Sequence, residues 1–226
     1  MKNFAKILLA FAAAIFLFTA CGKAEEEPID VSDVKDMVFG SEVPAILYYG
    51  EGKIIIDGAG FGVVVYDLEN GRLTDRISVD KIREFGMVGY DNYASADGKT
   101  IYFTDMLQST GEVTAMVAYD VESKTASPVK EMSDDEFREE SWNWDGGRFQ
   151  TEHLDPYNPY NKNYEKYYEY WGKYFEESCL ISYTVVPLEN EFVFLIVPSF
   201  MLYDIQIVVC DYDGGEKVYR VFDNIN

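Results

Sequence analysis

"VVVYDLENGRL", residues 63–73, decides the fold. An apolar run leads into an acid, Asp67, and an Asn-Gly pair, Asn70-Gly71, follows at once. A short apolar run closed by a turn signal reads as a strand. Asn-Gly predicts a two-residue hairpin, because both positions tolerate positive φ. The same sentence is spoken twice more, as "MVAYDVESKTA" from Met116 and "IVVCDYDGGEK" from Ile207. Their acids are Asp120 and Asp211, and their turn pairs are Ser123-Lys124 and Gly214-Gly215.

Working outward, each stretch has an earlier strand before it: "KIIIDG" from Lys53, "KTIYFTD" from Lys99 and "EFVFLIV" from Glu191. Before each of these stands another turn, "GEGK", "ADGK" or "LENE", and another apolar stretch. Three repeat-like units result, over 45–79, 93–132 and 182–223, each with four candidate strands. A period near 40 with four strands predicts a mainly β chain of propeller-like antiparallel units. The pattern resembles the quinoprotein-like and YVTN-like propeller repeats of bacterial surface proteins. It is also similar to propeller-like lipoproteins and to sensor segments of Gram-positive antirepressor-type peptidase systems. Closed propellers have about four to eight blades, so three units describe an incomplete or degenerate one. Residues 133–180 then either supply a degenerate fourth blade or cap an open sheet edge that would otherwise invite pairing. The alternative fold is a β-sandwich with a helical insert.

That insert, 133–180, has a composition of its own. Ser133 with Glu136 makes a capping-box pattern for a short helix, and "WNWDGGRFQT" reads as a hairpin about Asp145-Gly146-Gly147. "PYNPYNKNYEKYYEYWGKYFEES" follows. Tyr157, Tyr160, Tyr164, Tyr168, Trp171 and Tyr174 are the candidate binding face, an aromatic platform for sugar rings or a protein partner. Against this, Tyr160, Tyr164, Tyr167, Tyr168, Trp171, Tyr174 and Phe175 recur at helical spacing. That describes an amphipathic helix packed on the β-domain, with Glu169 and Lys173 paired on its outer side.

The chain begins with a basic head, Lys2 and Lys6, and an unbroken apolar run from Ile7 to Phe18. Twelve residues fall short of the about 20 that a bilayer span needs and match a secretory signal over residues 1–20. Phe18-Thr19-Ala20-Cys21, followed by Gly22, resembles the lipobox of bacterial lipoproteins, with Phe18 where Leu is usual. The resemblance implies cleavage between Ala20 and Cys21 and lipidation of Cys21. The implied address is the extracytoplasmic face of a cell membrane. Residues 21–30 would be the lipidated terminus and an acidic spacer, and 31–226 the β-rich domain.

Cleavage removes Lys2 and Lys6 and no acid, so the formal charge passes from −21 to −23. That acidity argues against nucleic acid as a partner and repels an anionic leaflet. With 48% hydrophobic and 16% aromatic residues the remaining chain folds. Cys179 and Cys210 are either one disulfide in an oxidising compartment or two buried thiols in strands.

Dedicated chemistry is sparse. His153 is the single histidine, which removes His-rich zinc sites and leaves one candidate base for a triad. Gly58, Gly60 and Gly62 in "DGAGFG" are followed by a strand-like run rather than a helix, so the dinucleotide fingerprint fails its context. "DYDGGE" at Asp211 lacks the glycine and glutamate of a calcium loop and reads as a hairpin. No catalytic residue, metal or cofactor is expected. The expected function is a lipid-anchored binding or sensing module, with a protein or cell-wall glycan as partner. Its alternatives are a carboxylate-dependent hydrolase of extracellular glycan or peptide, and a structural subunit of a membrane complex.

Overall fold

The computed structural model describes residues 28–38, 44–87, 90–107, 112–129, 162–177, 180–181, 186–188, 190–199 and 201–223. Three antiparallel sheets make up most of it. The first holds β1 (Ala45–Gly50), β2 (Lys53–Asp57), β3 (Val63–Asp67) and β4 (Arg72–Ile77), paired in chain order. A short helix, α1 (Val79–Glu84), leads to the second, whose strands are β5 (Tyr90–Ala94), β6 (Thr100–Leu107), β7 (Glu112–Asp120) and β8 (Thr125–Pro128). Helix α2 (Lys162–Glu177) precedes the third sheet. There β9 (Leu180–Ile181) and β10 (Val186–Pro187) share one side of β11 (Glu191–Val197). The sheet continues through β12 (Gln206–Asp211) and β13 (Glu216–Arg220).

The three units read from the sequence correspond to these sheets, with the second beginning at Tyr90 rather than at 93 and the third at Leu180 rather than at 182. A two-sheet sandwich is not the arrangement, since the sheets form three stacked layers with the first in the middle. Alternation along its strands sets this up. Ile54, Ile56, Val64 and Tyr66 pack with Val193, Leu195, Ile207 and Val209 of the third sheet. Ile55, Val63 and Val65 turn the other way, onto Ala94, Ile101, Phe103 and Val117 of the second. Apolar runs without polar alternation are what such double burial requires.

The third sheet has its second face covered as well. Phe192, Phe194, Val208 and Cys210 form a core there with Tyr170 and Tyr174 of α2. Before the first sheet, residues 28–38 lie against the domain. A 3-10 turn, Ser32–Asp36, drives Val34 into the core between the first and third sheets. Arg76, its side chain almost wholly buried, holds that segment by a two-pronged bond to Asp33 at 2.5 and 2.7 Å and by a third bond to the Asp30 carbonyl at 2.8 Å. The bond to Arg76 also keeps the Asp33 carboxyl below its ordinary range.

The turns of the repeat differ from the expectation. Only Gly71 of the Asn-Gly pair has positive φ, at 63°, and the loop between β3 and β4 is four residues rather than two. The cause is Asp67, whose Oδ1 accepts from Glu69 N and Asn70 N and winds the chain into a longer turn. Asp120 does the same for Ser123 N and Asp211 for Asp213 N. The two-residue hairpin with both φ positive stands at Glu51-Gly52 instead. "DGAGFG" is a 3-10 turn that sets Phe61 edge-on to Phe222. Gly62 there has φ 86°, and a Cβ would lie 2.1 Å from the Ile77 carbonyl oxygen, so the position admits only glycine.

Candidate functional site

Sheets twist, so layers that touch along one margin open along another. β1 lies against both β5 and β11, where the sheets converge. Away from that margin a cleft of about 360 Å³ opens between the first and third sheets, at the β4 and β13 ends. Pro28, Ile29 and Val31 line one side of it, held in place through the Arg76 clamp. The turn between β7 and β8 closes another side with Lys124.

The lining is apolar at its base and cationic at its mouth. Leu73, Val221 and Phe222 provide apolar wall, while Arg72, Lys124 and Arg220 bring three cations to one opening. In a chain of charge −21 this local excess of positive charge runs against the average. Asp223 is the single carboxylate among the lining residues, so an acid–base pair of the glycosidase kind is not what this cleft offers. Asp67 faces Arg72 across the β3–β4 ladder and shares part of its field.

Two details mark the cleft as more than a gap. Tyr66 is 2% exposed. Its hydroxyl reaches the lining and takes part in no hydrogen bond among the described residues. Burial first, then the charges of Asp223, Tyr219 and Asp67, pushes it up to about 12. It therefore stays protonated and offers an O–H donor at neutral pH. Lys124 occupies the left-handed region at φ 55°, where the matching position of the first unit has Gly71. A side chain there costs about 1 kcal/mol. Its ammonium donates to the Thr74 carbonyl at 3.0 Å, which uses one of three N–H donors and fixes the charge at the cleft.

None of the site residues singled out in the sequence is among the described residues that line the cleft. Ala20, Cys21, Tyr157, Tyr160, His153 and Cys179 lie outside the described residues, as do the capping box and the "WNWDGGRFQT" hairpin. Tyr164 and Trp171 are positions on α2. Tyr174 is not part of an exposed platform: it is buried edge-on against Phe194, as Tyr170 is against Phe192. Tyr168 is exposed, so the buried face of α2 runs through Tyr170 and Tyr174 rather than through Tyr168. Lys166 and Lys173 sit 5.2 and 5.0 Å from the Tyr170 and Tyr174 ring centres. Glu169 pairs with Lys166 at 2.9 Å, and Lys173 reaches Glu216 of β13 at 2.6 Å, so the expected Glu169–Lys173 pair is not the one formed. Cys210 is a free buried thiol.

No cation trio or catalytic constellation announced the cleft in the sequence. Its cations come from positions 72, 124 and 220. The one available signal was a lysine in the turn slot that the repeat fills elsewhere with glycine. Among the described residues no helix is long and apolar enough to cross a membrane, and no group of His, Cys, Asp or Glu is placed to hold a metal. Comparison with known protein families, curated proteins and solved structures finds no match to this chain.

Proposed function

We propose that the chain is a lipid-anchored extracytoplasmic module that binds or senses a ligand, its three β-units standing as blades of an incomplete propeller. The observation that carries this reading is the position of the cleft. Pro28 lines it and comes seven positions after Cys21. Seven extended residues reach at most about 25 Å, so a lipid on Cys21 would hold the cleft close to the membrane surface.

Three features support the propeller part. The first two sheets are meanders in chain order and the third is one from β10 to β13, the first sheet shares one core with each neighbour, and β1 lies against strands of both. In a ring of that kind the open place falls between the second and third sheets. The chain between those sheets contains α2, which covers the third sheet's outer face. This fits an insert standing in for a blade.

The outer strands of the first and third sheets favour a binding module over a subunit completed by a partner strand. β4 carries Arg72, Asp75 and Arg76, and β13 carries Glu216, Lys217 and Arg220. Charged edges discourage edge-to-edge pairing.

Replacement of Cys21 by Ser tests the anchor. The unaltered protein is expected in the membrane fraction, labelled by a fatty-acid analogue. Cys21→Ser is expected in the soluble extracytoplasmic fraction without label. Equal fractionation of the two would remove the lipid anchor from the proposal.

A further inference from the structure

We infer that the cleft between the first and third sheets is a binding site for a small organic phosphomonoester, with the phosphate at Arg72, Lys124 and Arg220 and an apolar body against Leu73 and Phe222. The inference deepens the binding-module reading and rests on it for biological meaning, but its chemistry stands on the cleft alone.

Charge selects the ligand class. Three cations and the carboxylate of Asp223 line the cleft, and with Asp67 beside Arg72 the cations still outnumber the carboxylates by three to two. A phosphomonoester carries about −1.5 to −2 at neutral pH and three acceptor oxygens. A carboxylate carries one charge and two oxygens. Arginine's planar fork suits phosphate oxygens in paired bonds, and lysine adds a point charge. The overall acidity of the chain keeps unrelated anions at a distance, so the local excess acts only on a ligand that enters the cleft.

Shape and polarity agree. Tyr66 supplies an O–H to the cleft beside Gly71, where its ring is buried and its hydroxyl lacks a protein partner among the described residues. That hydroxyl is not a buried unpartnered atom, so water satisfies it until a ligand acceptor displaces the water. A phosphate oxygen is such an acceptor. Lys124 points the same way: its ammonium is fixed at the cleft by the bond it donates to the Thr74 carbonyl.

The phosphate has two conceivable sources, a soluble organic phosphate and the headgroup of a phosphatidic-acid lipid. The net charge of −21 opposes approach to an anionic leaflet, which favours the soluble source.

The test uses the full Cys21→Ser chain in phosphate-free buffer. Phenyl phosphate is titrated by calorimetry, with benzoate as the one-charge comparison. Saturable one-to-one binding of phenyl phosphate is expected, with benzoate weaker by about tenfold or more. Arg72→Ala with Arg220→Ala should weaken phenyl phosphate about tenfold or more, and Tyr66→Phe several-fold. Both arginines are exposed, and Tyr66→Phe removes one oxygen, so circular dichroism and the melting temperature should stay close to those of the parent. Absence of binding, equal affinity for benzoate, or binding indifferent to the arginine pair would overturn the site.

Flotation with phosphatidic-acid vesicles, against phosphatidylcholine vesicles, then decides the source. Flotation that needs the two arginines and is displaced by phenyl phosphate assigns the lipid headgroup. Phenyl phosphate binding without such flotation assigns a soluble ligand. Because the anchor is tested by fractionation and the cleft by titration, failure of one leaves the other's result readable.

Discussion

Asp75 and Tyr119 join two sheets through one hydrogen bond. Tyr119 Oη donates to Asp75 Oδ2 at 2.6 Å, both residues are nearly buried, and burial followed by that bond raises the tyrosine far above its ordinary range. Removing the donor would leave a buried carboxylate oxygen unsatisfied, a cost of about 1–3 kcal/mol. Tyr119→Phe is therefore expected to lower the free energy of unfolding by that amount, read as a lower urea midpoint with an unchanged slope. A midpoint equal to the parent's would mean that the bond does not hold the first two sheets together. Single residues were unevenly legible in the sequence. The repeated acids Asp67, Asp120 and Asp211 were visible as letters. Their shared action on the following N–H groups was not, because a sequence shows the carboxylate but not the donors it meets. The same gap hid the Glu51-Gly52 hairpin, since glutamate is a poor advertisement for positive φ.

Helix α2 was legible as an element packed on the β-domain through Tyr174, while Tyr168, read onto the same face, is exposed, and Tyr170 was not read as part of it. Aromatic residues crowd so many of its positions that more than one stripe looks apolar, and periodicity alone does not choose among them. The choice is made by the partner surface, where Phe192 and Phe194 receive Tyr170 and Tyr174. Lys166 and Lys173 then arch over the two tyrosines, a contact worth about 0.5–1 kcal/mol at an exposed site. Lys173 also reaches Glu216 on β13, tying the helix to a sheet that the sequence placed 43 residues away. Beneath the helix lies Cys210, fully buried, with its thiol pushed up to about 12 by burial first and by the charge of Glu216 next. A protonated, covered thiol is a poor nucleophile. Iodoacetamide at pH 8 is expected to leave the Cys210 peptide unmodified in the native protein, as read by mass spectrometry. Tyr170→Ala with Tyr174→Ala should loosen α2 and allow labelling. Labelling at the same rate in both proteins would show that α2 is not the cover.

On the scale of the whole molecule, the units were legible because each is built from neighbouring strands and local turns. The stacking order was not, since "KIIID" and "EFVFLIV" are legible as apolar strands without stating what covers either face. The structure answers with the first sheet in the middle, and the answer has a mechanical consequence. Ile54 and Ile55 are adjacent and both fully buried, yet they belong to different cores: Ile54 faces the third sheet and Ile55 the second. Truncating either to Ala costs about 2–5 kcal/mol through lost contacts and the cavity left behind. If the layers unfold as one body, that loss is felt on both sides of the central sheet. Amide exchange then resolves the question, because the most protected amides of a cooperative unit open only with global unfolding. Ile55→Ala is expected to lower protection of β12 amides, such as Val208, by as much as it lowers those of β6, such as Tyr102. Ile54→Ala should do the same in the opposite direction. A loss confined to the sheet that each isoleucine touches would mean that the central sheet divides the molecule into two folding units rather than binding it into one. The cleft would then lie inside the unit formed by the first and third sheets, and of the three cations only Lys124 would depend on the second.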